Sequence, residues 1–578
     1  MDRKLLLVFA LTFLVIMLFQ PLLKKYGPQP PANPPNTGQR TPNPSESPAS
    51  SAPSTGVAPA GAVSAALSRQ RAAAPVAKQA ANESETVIEN GLYRIVFTNR
   101  GAQVKSWVLK KWDDESGKPL DLVNQAASAK YGYPLSLWTY DETLRNKLNT
   151  ALYVVSSTGA TAPAEITFEY SDVDLAVKKK FTFKDSYVVG VDTLVQQKGA
   201  QVTALPMWPA GFGGETSAPA FAATQIAYQY DSKIERLAFK KISGGGTVPG
   251  PFQWGGVSAQ YFAAVFLPED PMSAAMVTLR NQIEVPHYGS DPNAHQMDRV
   301  DVLGAAVGSL RGPTSERIYV GPKALADLEA VSVPGIAGAD QDLRAVVDFG
   351  WLGVIARPLF LWLKWTYKFV PNWGWAILVQ TLIINLGILP LRLTQMKSML
   401  KMQRVAPQIK AIQEKYKKYS LRDPRKAEMN TEISEIYKRE GVNPVGGCLP
   451  MLLPLFLLWP YYRVLTVAID LRHAPWLWIH DLSAADPTHI LPIAIIVTMF
   501  LMQRMTPQAG MDPAQQRMMN IMMPGMLGVM AWNLPSGLGL YWAAGQLIGI
   551  AQQAVMNRTS LGQEMREMMA KRARKKEK

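Results

Sequence analysis

Within an apolar stretch of the C-terminal half, Thr381, Asn385 and Arg392 stand at i, i+4 and i+11, so a helix there places all three on one face. Helix rise sets Arg392 about 10 Å beyond Asn385 along the axis. Polar side chains in a membrane-buried run are costly against lipid, so such a face turns inward or toward water. The chemistry on offer is hydration and electrostatic attraction, not bond making. The Asn385 amide both donates and accepts, and Arg392 carries a permanent positive charge. Arg392 has two readings: a cationic flank that marks the cytoplasmic side, or the source of a positive field at the mouth of a polar cavity. Farther on, Gln546, Gln552 and Gln553 interrupt another apolar run. They read either as cavity lining or as glue between helices.

Motifs for covalent or nucleotide chemistry do not appear. There is no P-loop, no HExxH, no GxSxG elbow in a usable context and no CxxC, and the five histidines lack a metal-ligand spacing. No enzyme activity, cofactor or metal is therefore expected. His473 and His480 sit beside Trp476 and Trp478, where an interfacial role outweighs metal binding. The single cysteine, Cys448, excludes an intramolecular disulfide and reads as a packing residue.

The elements that must position these residues follow from a segregated composition. Of 578 residues 48% are hydrophobic, and the mean hydropathy of −0.02 hides strongly apolar runs beside polar ones. Residues 1–26 read as an N-terminal signal-anchor span: Arg3 and Lys4, then Leu5 to Phe19, with no small-x-small cleavage pattern after it. Residues 27–84, rich in Pro, Ala and Ser, read as a disordered tether. Residues 85–338 have the texture of strands, at 91–108, 164–170, 175–183, 187–195 and 261–267, and suggest one large antiparallel β-sandwich. Lys178, Lys180, Thr182 and Lys184 alternate with Lys179, Phe181 and Phe183, so one face of that strand is polar and the other becomes apolar.

Residues 339–372 read as an amphipathic interfacial helix, with Leu343, Val346, Val347, Trp351 and Leu352 at helical spacing and Trp362, Trp365, Trp373 and Trp375 nearby. Residues 373–558 form the core. Apolar runs at 374–394, 447–468, 488–505, 518–534 and 537–556 make five further spans, for six in all. Between the first two, 395–445 carries Met399, Met402, Val405, Ile409, Ile412 and Tyr416 every three or four residues, is broken at Asp423-Pro424, and reads as a helical hairpin outside the bilayer.

Charge orients the chain. The net charge is +15, much of it flanking apolar runs. Lys397, Lys401, Arg404, Lys410, Lys415, Lys417 and Lys418 mark the hairpin as cytoplasmic, and the basic tail 559–578 likewise, which leaves the β-domain outside.

Several strings carry a family resemblance. EGVNPVGGCLP (440–450), WIHDLSAADP (478–487), ILP (490–492) followed by VTMF (497–500), DPAQQRMM (512–519) and PSGLGLYW (535–542) resemble, in order and spacing, the YidC-type membrane protein insertases of bacteria. FTNRGAQVKSWVL and QYFAAVFLP in the outer domain are similar more weakly. The resemblance implies the Gram-negative inner membrane, both termini cytoplasmic, and a periplasmic β-supersandwich. It also implies five spans that form a hydrophilic groove capped by the hairpin. Its substrates would be nascent integral membrane proteins, inserted from the lipid bilayer's cytoplasmic side without ATP, alone or with the Sec translocon. The charge of the basic tail suggests contact with ribosomal RNA or anionic lipid, although topology alone also explains it, and the ribosome and the signal recognition particle receptor are candidate partners of the hairpin and tail.

The carry-over onto this chain shows a departure. The family usually has an Arg five residues before the proline matching Pro390, and this chain has Asn385 there. Arg392 on the same face is the candidate substitute. Tyr541 and Trp542 match two groove aromatics, the second more often Tyr in the family. The expected groove set is Thr381, Asn385, Arg392, Tyr541, Trp542, Gln546 and Gln552. Pro454 and Pro460 in the second core span also depart from the family pattern. Two rivals stand: an ion or solute channel, and a sugar-binding or sugar-modifying outer domain, although no His and carboxylate pairing is evident there.

Overall fold

The computed structural model describes residues 77–215, 218–230, 233–237, 239–287, 297–334, 341–419, 423–441, 449–505, 518–560, 562–564 and 566–568. The N-terminal anchor, the tether up to residue 76, Cys448, the 506–517 connection and most of the basic tail lie outside the described residues.

Alternating strands build three main antiparallel sheets in the first half. The largest has ten strands, running from Lys233–Arg236 through Gln225–Tyr230, Trp254–Ser258, Phe262–Pro268, Thr314–Pro322, Val188–Gln197, Leu175–Phe183 and Ala164–Ser171 to Val154–Ser157, with Ala200–Gln201 paired to Val188–Gln197. A five-stranded sheet is centred on the long hairpin Ala274–Pro286 and Met297–Ser309, and a four-stranded one runs from Glu85–Glu89 to Pro119–Asp121. The expectation of one sandwich thus becomes three sheets around a shared core. Phe168, Phe181 and Ile318 from the largest sheet meet Met276 and Val307 from the second and Phe97 and Trp107 from the third. The stretch 91–108 is a hairpin, Tyr93–Thr98 with Gln103–Asp113, turned at Gly101 and Ala102, both at positive φ. Pairing begins before residue 85: Lys78 bridges Ser171 and ion-pairs with Glu169 at 2.5 Å.

The second half is helical: α1 (Gly353–Phe369), α2 (Trp373–Lys415), α3 (Arg425–Arg439), α4 (Leu449–Val467), α5 (Ile490–Met505), α6 (Met523–Ala531, after a π-turn at Met518–Met522) and α7 (Ser536–Arg558). Helix α1 starts later than the spacing from residue 340 predicts. Asp348 accepts from the Gly350 amide at 2.9 Å and Gly350 lies at φ +69°, a turn that stops any earlier helix, so Leu343 and Val346 fall in a 3₁₀ turn instead. The predicted first core span and first hairpin arm are one unbroken helix, α2. Nothing at 394–395 stops it, and Pro390 and Pro407 are carried within it. Val405 and Ile409 of α2 pack on Ile436 of α3.

Among the described residues only α2 is both long and apolar enough to cross a bilayer by itself, with α5 and Asn520–Ala531 as shorter apolar helices. Outward side chains on these helices are nonetheless apolar: Leu382, Ile383 and Leu386 on α2, Ile493 and Val497 on α5, Leu547 and Val555 on α7.

Candidate functional site

Helices α2 and α7 lie side by side because α7 presents glycines where α2 presents polar groups. A Cβ at Gly545 would sit 3.8 Å from the Asn385 amide nitrogen and 3.9 Å from the Thr381 methyl. One turn on, a Cβ at Gly549 would meet the Arg392 guanidinium at 2.9 Å. That is closer than an alanine tolerates, so Gly549 clears the space that Arg392 occupies.

The three residues on the α2 face join one hydrogen-bonded chain. Thr381 donates its hydroxyl to the Ile377 carbonyl at 2.6 Å, and Asn385 donates to the Thr381 carbonyl at 2.8 Å. Arg392 donates from Nη2 to the Asn385 side-chain oxygen at 3.2 Å and from Nη1 to the Gln552 oxygen at 2.8 Å. Gln552 closes the loop by donating to the Asn385 backbone carbonyl at 3.1 Å. Cα–Cβ bonds on a helix lean toward its N-terminus, which lets the long Arg392 side chain climb two turns back to Asn385. Thr381 is fully enclosed and Asn385 is 6% exposed, whereas Arg392 and Gln552 are half-buried. The polar set therefore forms a seam between two helices that opens at its Arg392 end. Among the described residues no carboxylate pairs with Arg392, so its charge is hydrogen-bonded yet not neutralised.

Tyr541 also faces inward, stacked on Tyr461 of α4 with ring centroids 4.2 Å apart and an interplanar angle of 18°. Tyr461 donates its hydroxyl to Gln380 at 2.8 Å. Neither Gln380 nor Tyr461 stands out from the face pattern, since Gln380 is one residue off that face and Tyr461 comes from another helix. Trp542 packs half-buried against the apolar core. Gln546 is half-buried and joins none of these bonds. Gln553 donates to Asn557 on its own helix at 2.9 Å.

The outer domain holds buried ionisable groups with other tasks. Lys179, on the apolar strand face beside Phe181 and Phe183, is fully enclosed and donates to the carbonyls of Ala102 and Leu135 at 2.6 Å each and of Gly101 at 3.2 Å. Burial pushes the Glu215 carboxyl up to about 7, opposed by the Thr224 hydroxyl and the Phe212 amide. The absence of a His and carboxylate pairing does not hold: His287 Nδ1 lies 3.0 Å from both Asp298 oxygens. That pair sits beside the end of the Ala274–Pro286 and Met297–Ser309 ladder. The Glu215 carboxyl accepts from the Phe212 amide at 3.0 Å and from the Thr224 hydroxyl. Glu215 and His287 line one cavity of about 470 Å³.

Two known families match the two halves of this sequence. The family described as 60Kd inner membrane protein matches residues 365–563, and the one described as YidC periplasmic domain matches residues 85–362. A membrane protein insertase YidC of Syntrophus aciditrophicus is 29% identical over 96% of this chain and 100% of its own length. One of Citrifermentans bemidjiense is 32% identical over 82% of this chain and 85% of its own. A crystal structure of an active YidC insertase with its first transmembrane domain resolved covers 84% of this chain and 94% of its own, at 20% identity and a TM-score of 0.34.

Proposed function

The chain belongs to the family of YidC membrane protein insertases, and from that premise we propose that it inserts integral membrane proteins along the α2–α7 seam without nucleotide hydrolysis. The observation that carries this reading is the Arg392 guanidinium, held by the neutral amides of Asn385 and Gln552 between α2 and α7, with no carboxylate partner among the described residues. A positive, hydrogen-bonding end attracts an acidic hydrophilic flank and lowers the desolvation cost of its crossing. Thr381, Asn385, Gln552 and Tyr541 line the path, with Trp542 and Gln546 at its border.

The driving force lies in the substrate. Burying its apolar segment is worth about 25 cal/mol per Å². The membrane potential adds about 2.3 kcal/mol per charge per 100 mV. Apolar side chains facing outward on α2, α5 and α7 suit a lipid surround through which the new segment can leave. The exposed Trp351, Val354, Trp365 and Phe369 around and on α1 suit a headgroup zone. In this reading the spans number six, the α2–α3 hairpin and both termini are cytoplasmic, and the β-domain is periplasmic. Basic residues of the hairpin and tail then offer phosphate-binding charge to ribosomal RNA or anionic lipid, and the Sec translocon and signal recognition particle receptor are further partners.

The test is reconstitution of the purified full chain in lipid vesicles with a single-span substrate bearing an acidic tail and no nucleotide. Protease-protected insertion above that of empty vesicles is expected. A strict requirement for ATP, or solute flux with no insertion, would overturn the proposal.

A further inference from the structure

One amide joins three helices, α1, α2 and α4, next to the seam. Gln380 is fully enclosed; its nitrogen donates to the Leu359 carbonyl of α1 at 3.1 Å, and its oxygen accepts from the Tyr461 hydroxyl of α4 at 2.8 Å. Both halves of the amide are used, so its orientation is fixed by its partners. Tyr461, 1% exposed, lays its ring on Tyr541 of α7. Gln380 is the chain neighbour of Thr381, and Tyr541 stands one turn before Gly545, which faces Asn385. A shift at this amide therefore moves both walls of the seam.

The same cluster is tied to the outer domain. Two residues past Tyr461, Arg463 donates to the Asp348 carbonyl at 2.7 Å and lies 3.3 Å from its carboxylate. Asp348 also faces Arg236, on the edge strand Lys233–Arg236, at 3.6 Å. Asp348 thus couples that strand, the entry to α1, and the outer end of α4.

We infer that Gln380 and Tyr461 are positioning residues of the insertion seam, which hold Tyr541 and Thr381 in register and link that register to the outer domain through Asp348 and Arg463. The inference rests on the proposed role of the α2–α7 seam.

It is tested with the reconstituted full chain and the acidic-tailed substrate. Tyr461→Phe loses one hydroxyl; Gln380→Leu keeps the bulk and loses both bonds; Arg463→Gln cuts the link to Asp348. Tyr461→Phe and Arg463→Gln are each expected to slow insertion by about fivefold, the equivalent of one hydrogen bond, and Gln380→Leu by more, up to about 25-fold for its two bonds. The Gln380→Leu/Tyr461→Phe double variant should be no slower than Gln380→Leu alone. Amide hydrogen exchange at residues 537–545 of α7 should quicken in Arg463→Gln with its melting temperature unchanged. Native rates in all three, additive losses in the double variant, or losses that simply track a lower melting temperature would overturn the inference. Arg392→Gln run in parallel separates the two ideas. If it is impaired while the other variants are not, only the positioning role fails; if it too inserts normally, the seam itself is refuted.

Discussion

The Arg392 guanidinium lies 3.2 Å from the side-chain oxygen of Asn385, although seven residues separate the two along one helix. The relationship places a positive charge near the position where the family resemblance leads one to expect an arginine, but delivers it from two turns below. A guanidinium reaching a site this way needs a neutral acceptor at the end of its path, and Asn385 provides one while Gln552 provides the second.

Moving the charge should therefore be tolerated, and removing it should not. Arg392→Gln is expected to reduce insertion of substrates with acidic tails by roughly tenfold, the equivalent of about 1.4 kcal/mol, and to spare those with neutral tails. Adding Asn385→Arg to Arg392→Gln should recover most of the loss. Insertion assayed with paired acidic and neutral tails reads the difference; equal losses for both would show that Arg392 serves packing alone.

Gly549 has a narrower prediction. An added methyl would lie 2.9 Å from both the Arg392 guanidinium and the Met502 terminal methyl, so Gly549→Ala must displace one of them. Met502 can give way by rotation, and Arg392 can swing toward the open end of the seam. The expected result is a partial loss, about threefold, that vanishes in the Arg392→Gln background because the two act through one contact. Independent losses in the double variant would argue against it.

How much of this was legible follows from which interactions are local. Thr381, Asn385 and Arg392 share a face because α2 runs unbroken past Pro390, and a strict helical period shows that in the sequence. The reach of Arg392 depends on side-chain direction, and its second anchor, Gln552, belongs to a helix far along the chain. Gln380 escaped because its partners, Leu359 and Tyr461, lie on two other helices and leave no local period. The strand pattern put Lys179 on the apolar side, but nothing near it in sequence reveals the three carbonyls that receive it. The late start of α1 was hidden because hydrophobic spacing outweighed one glycine at positive φ.

Glu215 gives the outer domain a pH dependence. Burial raises its carboxyl from the ordinary 4.5 to about 7. Between those values the folded chain binds a proton that the unfolded chain has released, so stability falls as pH rises through this window. Glu215→Gln should abolish that slope and, above pH 7, stabilise the domain by up to about 3 kcal/mol. Melting of the outer-domain signal in the purified full chain at pH 5 and pH 8 measures it. A steeper rather than flatter slope in the variant would contradict the assignment.

Lys179 poses the opposite balance. Burial alone pushes its amine down, to about 7, so Lys179→Met relieves a desolvation cost. The same change strips a donor from three carbonyls at once, two of which belong to Ala102 and Leu135, held at φ of 49° and 62°. Side chains rarely adopt that conformation, so these two turns depend on whatever fixes them from inside. A buried acceptor that loses its donor costs about 1–3 kcal/mol, so three of them, at about 6 kcal/mol together, slightly exceed the relief of about 5 kcal/mol that the fall from 10.5 to about 7 represents. Lys179→Met should therefore lower outer-domain stability by about 1 kcal/mol, or roughly 2–4 °C in melting temperature. An unchanged or raised melting temperature would mean that the turns hold themselves and that the lysine is a burden the domain merely tolerates.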